Sequence, residues 1–183
     1  NKSAIFSITK ESSDIDGNIV EVSTGKGFII STENTVVVDG AQVSENTRKY
    51  FVQNESGKFN AEFMSLDKNG VAFLKIGKPL NEKSKLAYTV PVLGDLSKMK
   101  VGQKVLILGD SISSFIFNGS KDIKLSINKT NGGSMVLDLD GTVLGIALSS
   151  DTNSFASIDS IILSLKAKET PTDTTTSTDT KTP

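Results

Sequence analysis

The 183-residue sequence contains neither histidine nor cysteine, and these two absences exclude most of the common catalytic chemistry. A chain without cysteine has no disulfide, no thiol nucleophile and no thiolate metal site. A chain without histidine has no Ser-His-Asp or Cys-His catalysis and no zinc site of the usual kinds. We therefore expect neither a metal ion nor a cofactor.

Charge of one sign and long apolar runs are missing as well. The formal net charge is −1, and Arg48 is the single arginine among many lysines. Because there is no basic stripe, we exclude nucleic acid as a partner. No apolar run reaches the roughly 20 residues that span a bilayer, so a membrane would be reached only through segments outside this sequence. The chain opens at Asn1 rather than Met, which we interpret as a piece of a longer protein.

What the sequence does contain is a series of short apolar segments separated by turn residues. "SAIFSITK" alternates apolar and polar residues, and "DIDG", "DKNG" and "DLDG" are typical turns. Many short, evenly spaced strands indicate an all-β barrel or sandwich. One helix is predicted late in the chain, where Asp159 would cap "SIILSLKAK". The other predicted strands are "IVEVS", "GKGFIIS", "TVVVDG", "KYFVQ", "FNAEFMSLD", "VAFLKIG", "QKVLILGD", "SFIFNG", "DIKLSI", "SMVLDLD" and "TVLGIAL".

The composition changes abruptly near residue 169. Residues 169–183 read "ETPTDTTTSTDTKTP", a Thr/Asp/Pro tract that has no apolar residue to bury. Such a tract stays extended and unfolded, as linkers between modules of bacterial surface proteins do. The sequence therefore predicts one domain over residues 1–168 and a disordered linker over residues 169–183.

Five segments carry a resemblance to a known family. They are "GKGFIISTENTVVVDGAQV" (25–43), "SLDKNGVAFLKI" (65–76), "LGDLSKMKVGQKVLILGD" (93–110), "INKTNGGSMVLDLDGTVLGI" (127–146) and "SFASIDSII" (154–162). In content and order they are similar to the HtrA/DegP branch of the chymotrypsin-fold serine proteases. The resemblance implies a chymotrypsin-like double antiparallel β-barrel with a short C-terminal helix. Because the stretch between "LGD" at residues 108–110 and "DIKLSI" is much shorter than in the family, we expect the second barrel to have fewer or shorter loops, that is, to be trimmed.

The same resemblance places non-catalytic residues at all three positions of the catalytic triad. The general base falls on Ala41, the orienting aspartate on Gly70 and the nucleophile on Gly132. The upstream spacing is one residue short, so Asn69 is an alternative for the second position. Neither alanine nor glycine can take a proton, orient an imidazole or attack a carbonyl, and loss of one member already removes most of the rate. We therefore expect no enzyme activity.

The former oxyanion loop is also altered. Its positions fall on Thr130, Asn131 and Gly132, and a β-branched threonine is poorly suited to a loop that needs unusual backbone angles. A remote alternative is a residual serine hydrolase that uses Ser134 with a nearby lysine, Lys129 or Lys124. Such a dyad needs a buried lysine, and both lysines lie in polar sequence.

The loop "DLDG" at residues 138–141 offers a choice between two structures. Its two aspartates could begin a calcium site, but calcium loops need further oxygen ligands at fixed offsets, and none follows. A two-residue hairpin turn is the better interpretation.

These observations favour a non-catalytic role. The leading hypothesis is an inactive HtrA-like module that binds or senses a protein, peptide or polysaccharide at the cell surface of a low-GC Gram-positive bacterium. One specific form is the ectodomain of a membrane-anchored signalling protein of the anti-sigma-factor type, sensing an extracellular polymer. The alternative is a structural spacer that packs against a neighbouring module across the linker.

Overall fold

The computed structural model describes residues 2–43, 49–109, 112–120, 123–125, 132–150 and 154–169. The first half of the chain forms a closed antiparallel barrel of six strands, in the order β1-β2-β3-β6-β5-β4. The strands are β1 (Ile5–Ser13), β2 (Ile19–Ile29), β3 (Thr35–Asp39), β4 (Tyr50–Asn54), β5 (Gly57–Leu66) and β6 (Val71–Pro79).

Burial explains which segments form the middle of the barrel. Strand β3 is β-branched over most of its length and is buried at every residue, so both of its faces are covered. The predicted strands "IVEVS" and "GKGFIIS" are one continuous strand, β2, whose residues 19–28 pair with residues 5–13 of β1. A register shift between Ile8 and Thr9 lets this long hairpin bend.

The second half forms a five-stranded sheet in the order β11-β10-β9-β7-β8. Its strands are β7 (Lys104–Leu108), β8 (Ile112–Ile116), β9 (Met135–Leu137), β10 (Val143–Ala147) and β11 (Phe155–Ser157). The strand predicted for "DIKLSI" is wrong over Ile123–Leu125, which is not in a strand, and the rest of that segment lies outside the described residues. The predicted all-β fold, with a reduced second half, is confirmed.

Strands β9 and β10 are buried on both faces. Met135 and Leu137 pack with the barrel core, whereas Val136 between them packs with the smaller core of the second half. The same alternation in β10 sends Val143 to the barrel and Leu144 to the smaller core. These strands therefore form the seam between the halves, and their continuous apolar sequence follows from burial on both sides.

The C-terminal helix α1 (Ile158–Glu169) packs on the same seam through Ile158 and Ile161. The prediction that Asp159 caps this helix was wrong. The Oγ atom of Ser157 accepts the N–H of Ser160 at 3.3 Å, so Ser157 is the N-cap and Asp159 lies in the first turn. No helix in the described part of the chain is long and apolar enough to cross a membrane. Residues 170–183, most of the predicted linker, lie outside the described residues.

Candidate functional site

The position that the family resemblance assigns to the nucleophile, Gly132, is buried at the seam. The next residue, Gly133, donates its N–H to the Ala147 carbonyl at 2.8 Å and has a φ of +82°. A side chain on Gly133 would overlap the Lys26 carbonyl of β2. The loop therefore packs directly on the backbone of the barrel, and only glycine fits at residue 133. Thr130 and Asn131, the other predicted residues of the oxyanion loop, lie outside the described residues.

The centre of the seam holds a buried carboxylate, that of Asp39 at the end of β3. Its side chain accepts three hydrogen bonds, one of them from the Ala41 N–H at 3.1 Å. The other two come from Ser149 in the second half: the N–H at 2.7 Å and the hydroxyl at 2.5 Å. Asp39 is only 1% exposed. Charge-assisted bonds of this kind offset the cost of removing a carboxylate from water.

A second polar contact crosses the seam beside the first. Gln42 lies in the short 3-10 helix that follows β3, and its Nε2 donates to the Gly132 carbonyl at 2.5 Å. Its Oε1 is buried without a hydrogen-bond partner among the described residues. The predicted general-base residue, Ala41, is exposed and contributes its backbone N–H to Asp39. The side chain that reaches Gly132 is therefore that of Gln42.

Gly70, at the predicted position of the orienting aspartate, closes a turn that recurs twice elsewhere. In residues 14–17, 67–70 and 138–141, the first aspartate accepts backbone N–H groups from residues two and four positions later. The fourth residue is glycine each time, with φ between +82° and +85°. Gly70 thus has an ordinary turn role. Its carbonyl accepts the Gly40 N–H at 2.7 Å, which places it beside Asp39.

The seam therefore brings the three predicted triad positions into one neighbourhood, as the resemblance to serine proteases implies. Curated proteins of similar sequence support the same family resemblance. Probable periplasmic serine endoproteases, DegP-like, match over 144 residues at 26% identity in Bartonella henselae and 31% in Brucella suis, covering 68% of this chain. Serine protease HTRA1B of Danio rerio matches at 27% identity over 151 residues. The chain belongs to the HtrA-type protease-fold family.

The HtrA-type chain spans less than a third of these relatives: 27% of each bacterial protein and 30% of the fish protein. No family model matches the sequence. The shared region is therefore only a part of each longer relative.

Ser134, the remote candidate nucleophile, lies in an unsuitable place in this HtrA-type domain. It is 2% exposed, at the entry to β9, and its carbonyl accepts the Ala147 N–H at 2.9 Å. Lys124 is exposed, whereas a serine–lysine dyad needs a buried lysine. Lys129 lies outside the described residues.

The loop at residues 138–141 lies in a hairpin between β9 and β10, as predicted, but the turn is longer than the two residues expected, because Leu137 pairs with Val143 and the Asp138 N–H donates to the Thr142 carbonyl. Within the described ranges, no group of three or more acidic side chains is arranged to hold a metal ion.

Sequence reasoning missed Asp39, Gln42 and Ser149. One signal was available for Asp39, because a single acidic residue ends an otherwise apolar buried strand, "TVVVD". A weaker signal was available for Gln42, a polar residue that directly follows the predicted site position Ala41. Ser149 carries no local signal, since its role depends on a contact 110 residues away in sequence.

Proposed function

We propose that this domain is a catalytically inactive HtrA-type module that acts in binding or sensing outside the cytoplasm. The observation that carries the proposal is the state of Gly132. It has no side chain, and the space where one would project is occupied by the Asp39 carboxylate. A nucleophile could not be added there without moving that carboxylate.

The remaining triad positions support the same conclusion. The contact between Gln42 and Gly132 favours Gln42, rather than the predicted Ala41, as the residue at the general-base position. A side-chain amide does not take up a proton near neutral pH. Gly70 supplies no carboxylate, and the sequence contains no histidine that could replace the base.

The proposed location rests on the relatives. The bacterial relatives are named periplasmic, which supports an extracytoplasmic or surface location for this chain. In its most specific form, the proposal makes the domain the ectodomain of a membrane-anchored signalling protein of the anti-sigma-factor type in a low-GC Gram-positive bacterium. That form rests on the linker predicted for residues 169–183 and on the lysine- and asparagine-rich composition.

The first experiment tests the absence of catalysis. The domain is incubated with a fluorophosphonate probe and with labelled casein, beside an active HtrA-type protease. We expect no labelling above that of the heat-denatured domain and no casein cleavage. Labelling that disappears in Ser134→Ala or Ser149→Ala would contradict the proposal and identify the serine responsible.

The second experiment tests binding by depletion on insoluble cellulose, xylan, peptidoglycan and an immobilised unfolded protein. Ala41 is exposed beside the seam, so Ala41→Trp covers the former cleft without filling the buried space at Gly132. The matched control is Leu139→Trp on the exposed β9–β10 turn, where the native side chain is 66% exposed. We expect selective depletion that Ala41→Trp loses and Leu139→Trp keeps.

A second candidate function is the structural spacer. The burial of Gly132 under Asp39 and Ser149 favours it, because a closed centre offers less room for a ligand than an open cleft. Unchanged amounts of protein in every depletion supernatant would support the spacer and contradict the binding role.

A further inference from the structure

We propose that the seam cluster, defined as Asp39, Gln42, Gly132 and Ser149, is a structural lock that holds the centre of the seam closed. In this lock a carboxylate supplied by β3 fills the space of the nucleophile's side chain and ties the two halves of the domain together. The loss of a side chain at residue 132 and the presence of the carboxylate at residue 39 are then one coupled feature. This inference goes beyond the proposed function, because it concerns how the centre is held closed and not what the domain binds.

The carboxylate of Asp39 comes from β3, the strand next to the one that follows Gly70. Asp39 is the register partner of Val71 in the β3–β6 pair, and Val71 directly follows Gly70. The backbone bond between Gly40 and the Gly70 carbonyl, at 2.7 Å, holds the same two chain segments together. A carboxylate is therefore present next to the position where the resemblance places the family's aspartate, but it comes from the neighbouring strand.

Most hydrogen bonds of the seam cluster run between the two halves of the domain. Asp39 takes one bond from its own half, through Ala41, and two from the other half, through Ser149. Gln42 adds a bond from the first half to the Gly132 carbonyl. Three of these four bonds cross the seam. Because Asp39 is buried, separating the halves would remove two of the three hydrogen-bond donors to its carboxylate and would therefore cost free energy.

The Asp39 carboxylate occupies the space that a side chain at residue 132 would need. A methyl group built on Gly132 would overlap Asp39 Oδ2 and would lie only 3.0 Å from the Ser149 Cβ atom. The backbone does not require glycine at this residue, since Gly132 is not among the glycines with positive φ. The requirement for glycine at residue 132 therefore comes from the Asp39 carboxylate, which is a side-chain cause. At Gly133 the requirement comes from φ and from the Lys26 carbonyl, which are backbone causes.

This difference between adjacent glycines gives a sharp experiment. Gly132→Ala and Gly133→Ala are each made in the native chain and in the Asp39→Ala variant, and thermal unfolding is followed by circular dichroism. In the native chain we expect Gly132→Ala to lower Tm by roughly 3–10 °C, as overpacking does in a domain of this size. In the Asp39→Ala background the same change should lower Tm by less than half as much.

Gly133→Ala is the matched control, because removal of the Asp39 side chain leaves the Lys26 carbonyl in place. Its effect on Tm should be the same in both backgrounds. An equal loss of Tm from Gly132→Ala with and without Asp39 would overturn the proposal. If Gly132→Ala is insoluble in the native chain, recovery of soluble, cooperatively unfolding protein in the Asp39→Ala background counts as rescue.

A second arm does not depend on any change at Gly132. Ser149→Ala should lower Tm in the native chain and leave it within about 1 °C in the Asp39→Ala variant, since the hydroxyl then has no acceptor to lose. A loss of Tm that is independent of Asp39 would contradict the lock. Neither arm measures catalysis or binding, so its failure is distinguishable from failure of the proposed function.

Discussion

The two halves of this domain build their cores differently. In the barrel half the sheet closes, so every strand is paired on both sides and five aromatic side chains are almost fully buried: Phe6, Phe28, Tyr50, Phe59 and Phe73. In the other half the five-stranded sheet is open within the described residues, and its edge strands are β8 and β11. Most residues of β8 are exposed. The hydrophobic core of the second half is smaller than that of the barrel half.

The reduced half depends on the barrel for much of its burial. Met135, Leu137 and Ile146 belong to the barrel core although they lie in the second sheet. A trimmed sheet can therefore persist because its central strands are covered by the neighbouring barrel on one face. The seam therefore supplies part of the burial that the second sheet needs.

The largest expected effect comes from truncating a large side chain in each half. Phe73→Ala should destabilise the domain by about 3–5 kcal/mol, because removing a fully buried aromatic side chain leaves a cavity that the closed barrel cannot fill by collapsing. Phe117→Ala should cost less, near the lower end of that range, because Phe117 lies in the smaller core next to the exposed strand β8. Urea unfolding followed by circular dichroism measures both.

The comparison between the halves would fail if Phe117→Ala were the more damaging substitution. Ile112→Ala, at a side chain that is 74% exposed on β8, is the control and should leave the free energy of unfolding within about 0.5 kcal/mol.

A smaller effect is expected from restoring an aspartate at residue 70. Gly70→Asp should cost about 1–2 kcal/mol, because an L-residue must then adopt a φ of +85°. Gly17→Asp, in the equivalent turn of the β1–β2 hairpin, where φ is +82°, should cost a similar amount. Thermal unfolding of the two variants measures the difference.

A loss at Gly70 that is much larger than the loss at Gly17 would mean that residue 70 does more than close a turn. Gly77→Asp is a control for the added charge, since Gly77 lies exposed in β6 with no positive φ.

The smallest effect concerns pH and compares one turn from each half. The side-chain hydrogen bond from Asn18 holds the pKa of Asp14 below its ordinary value, and that from Ser97 does the same for the pKa of Asp95. Because both values are lowered in the folded state, the stabilisation is complete above the ordinary pKa of about 3.9 and is lost as the pH falls through the folded value.

An NMR titration of the side-chain carboxyl carbons checks this. Asn18→Ala should raise the pKa of Asp14 and leave that of Asp95 unchanged, and Ser97→Ala should do the reverse. A joint shift of both carboxyls in either variant would count against two independent local turns.

Local sequence patterns predicted most strands correctly because period-two burial and turn glycines are local properties. "TVVVD" and "VAFLKI" became adjacent strands of the barrel, and the three Asp-x-x-Gly turns took the backbone conformation that their glycines permit. The errors have tertiary or boundary causes. "IVEVS" and "GKGFIIS" merged because β1 pairs along both, and the helix began one residue before Asp159 because Ser157 supplies the cap.

The candidate site divides in the same way. Ala41, Gly70 and Gly132 were predicted from the order of motifs, and the chain segments that carry them meet at the seam. By itself, the sequence determined that no histidine or cysteine of this chain takes part in any chemistry, and it predicted glycine at the nucleophile position. Only the tertiary structure decided that Gln42 contacts Gly132 and that Asp39 and Ser149 meet across the seam. The physical reason is that these contacts join residues 90 and 110 positions apart in the chain, and such contacts depend on how the two sheets pack and not on any local pattern.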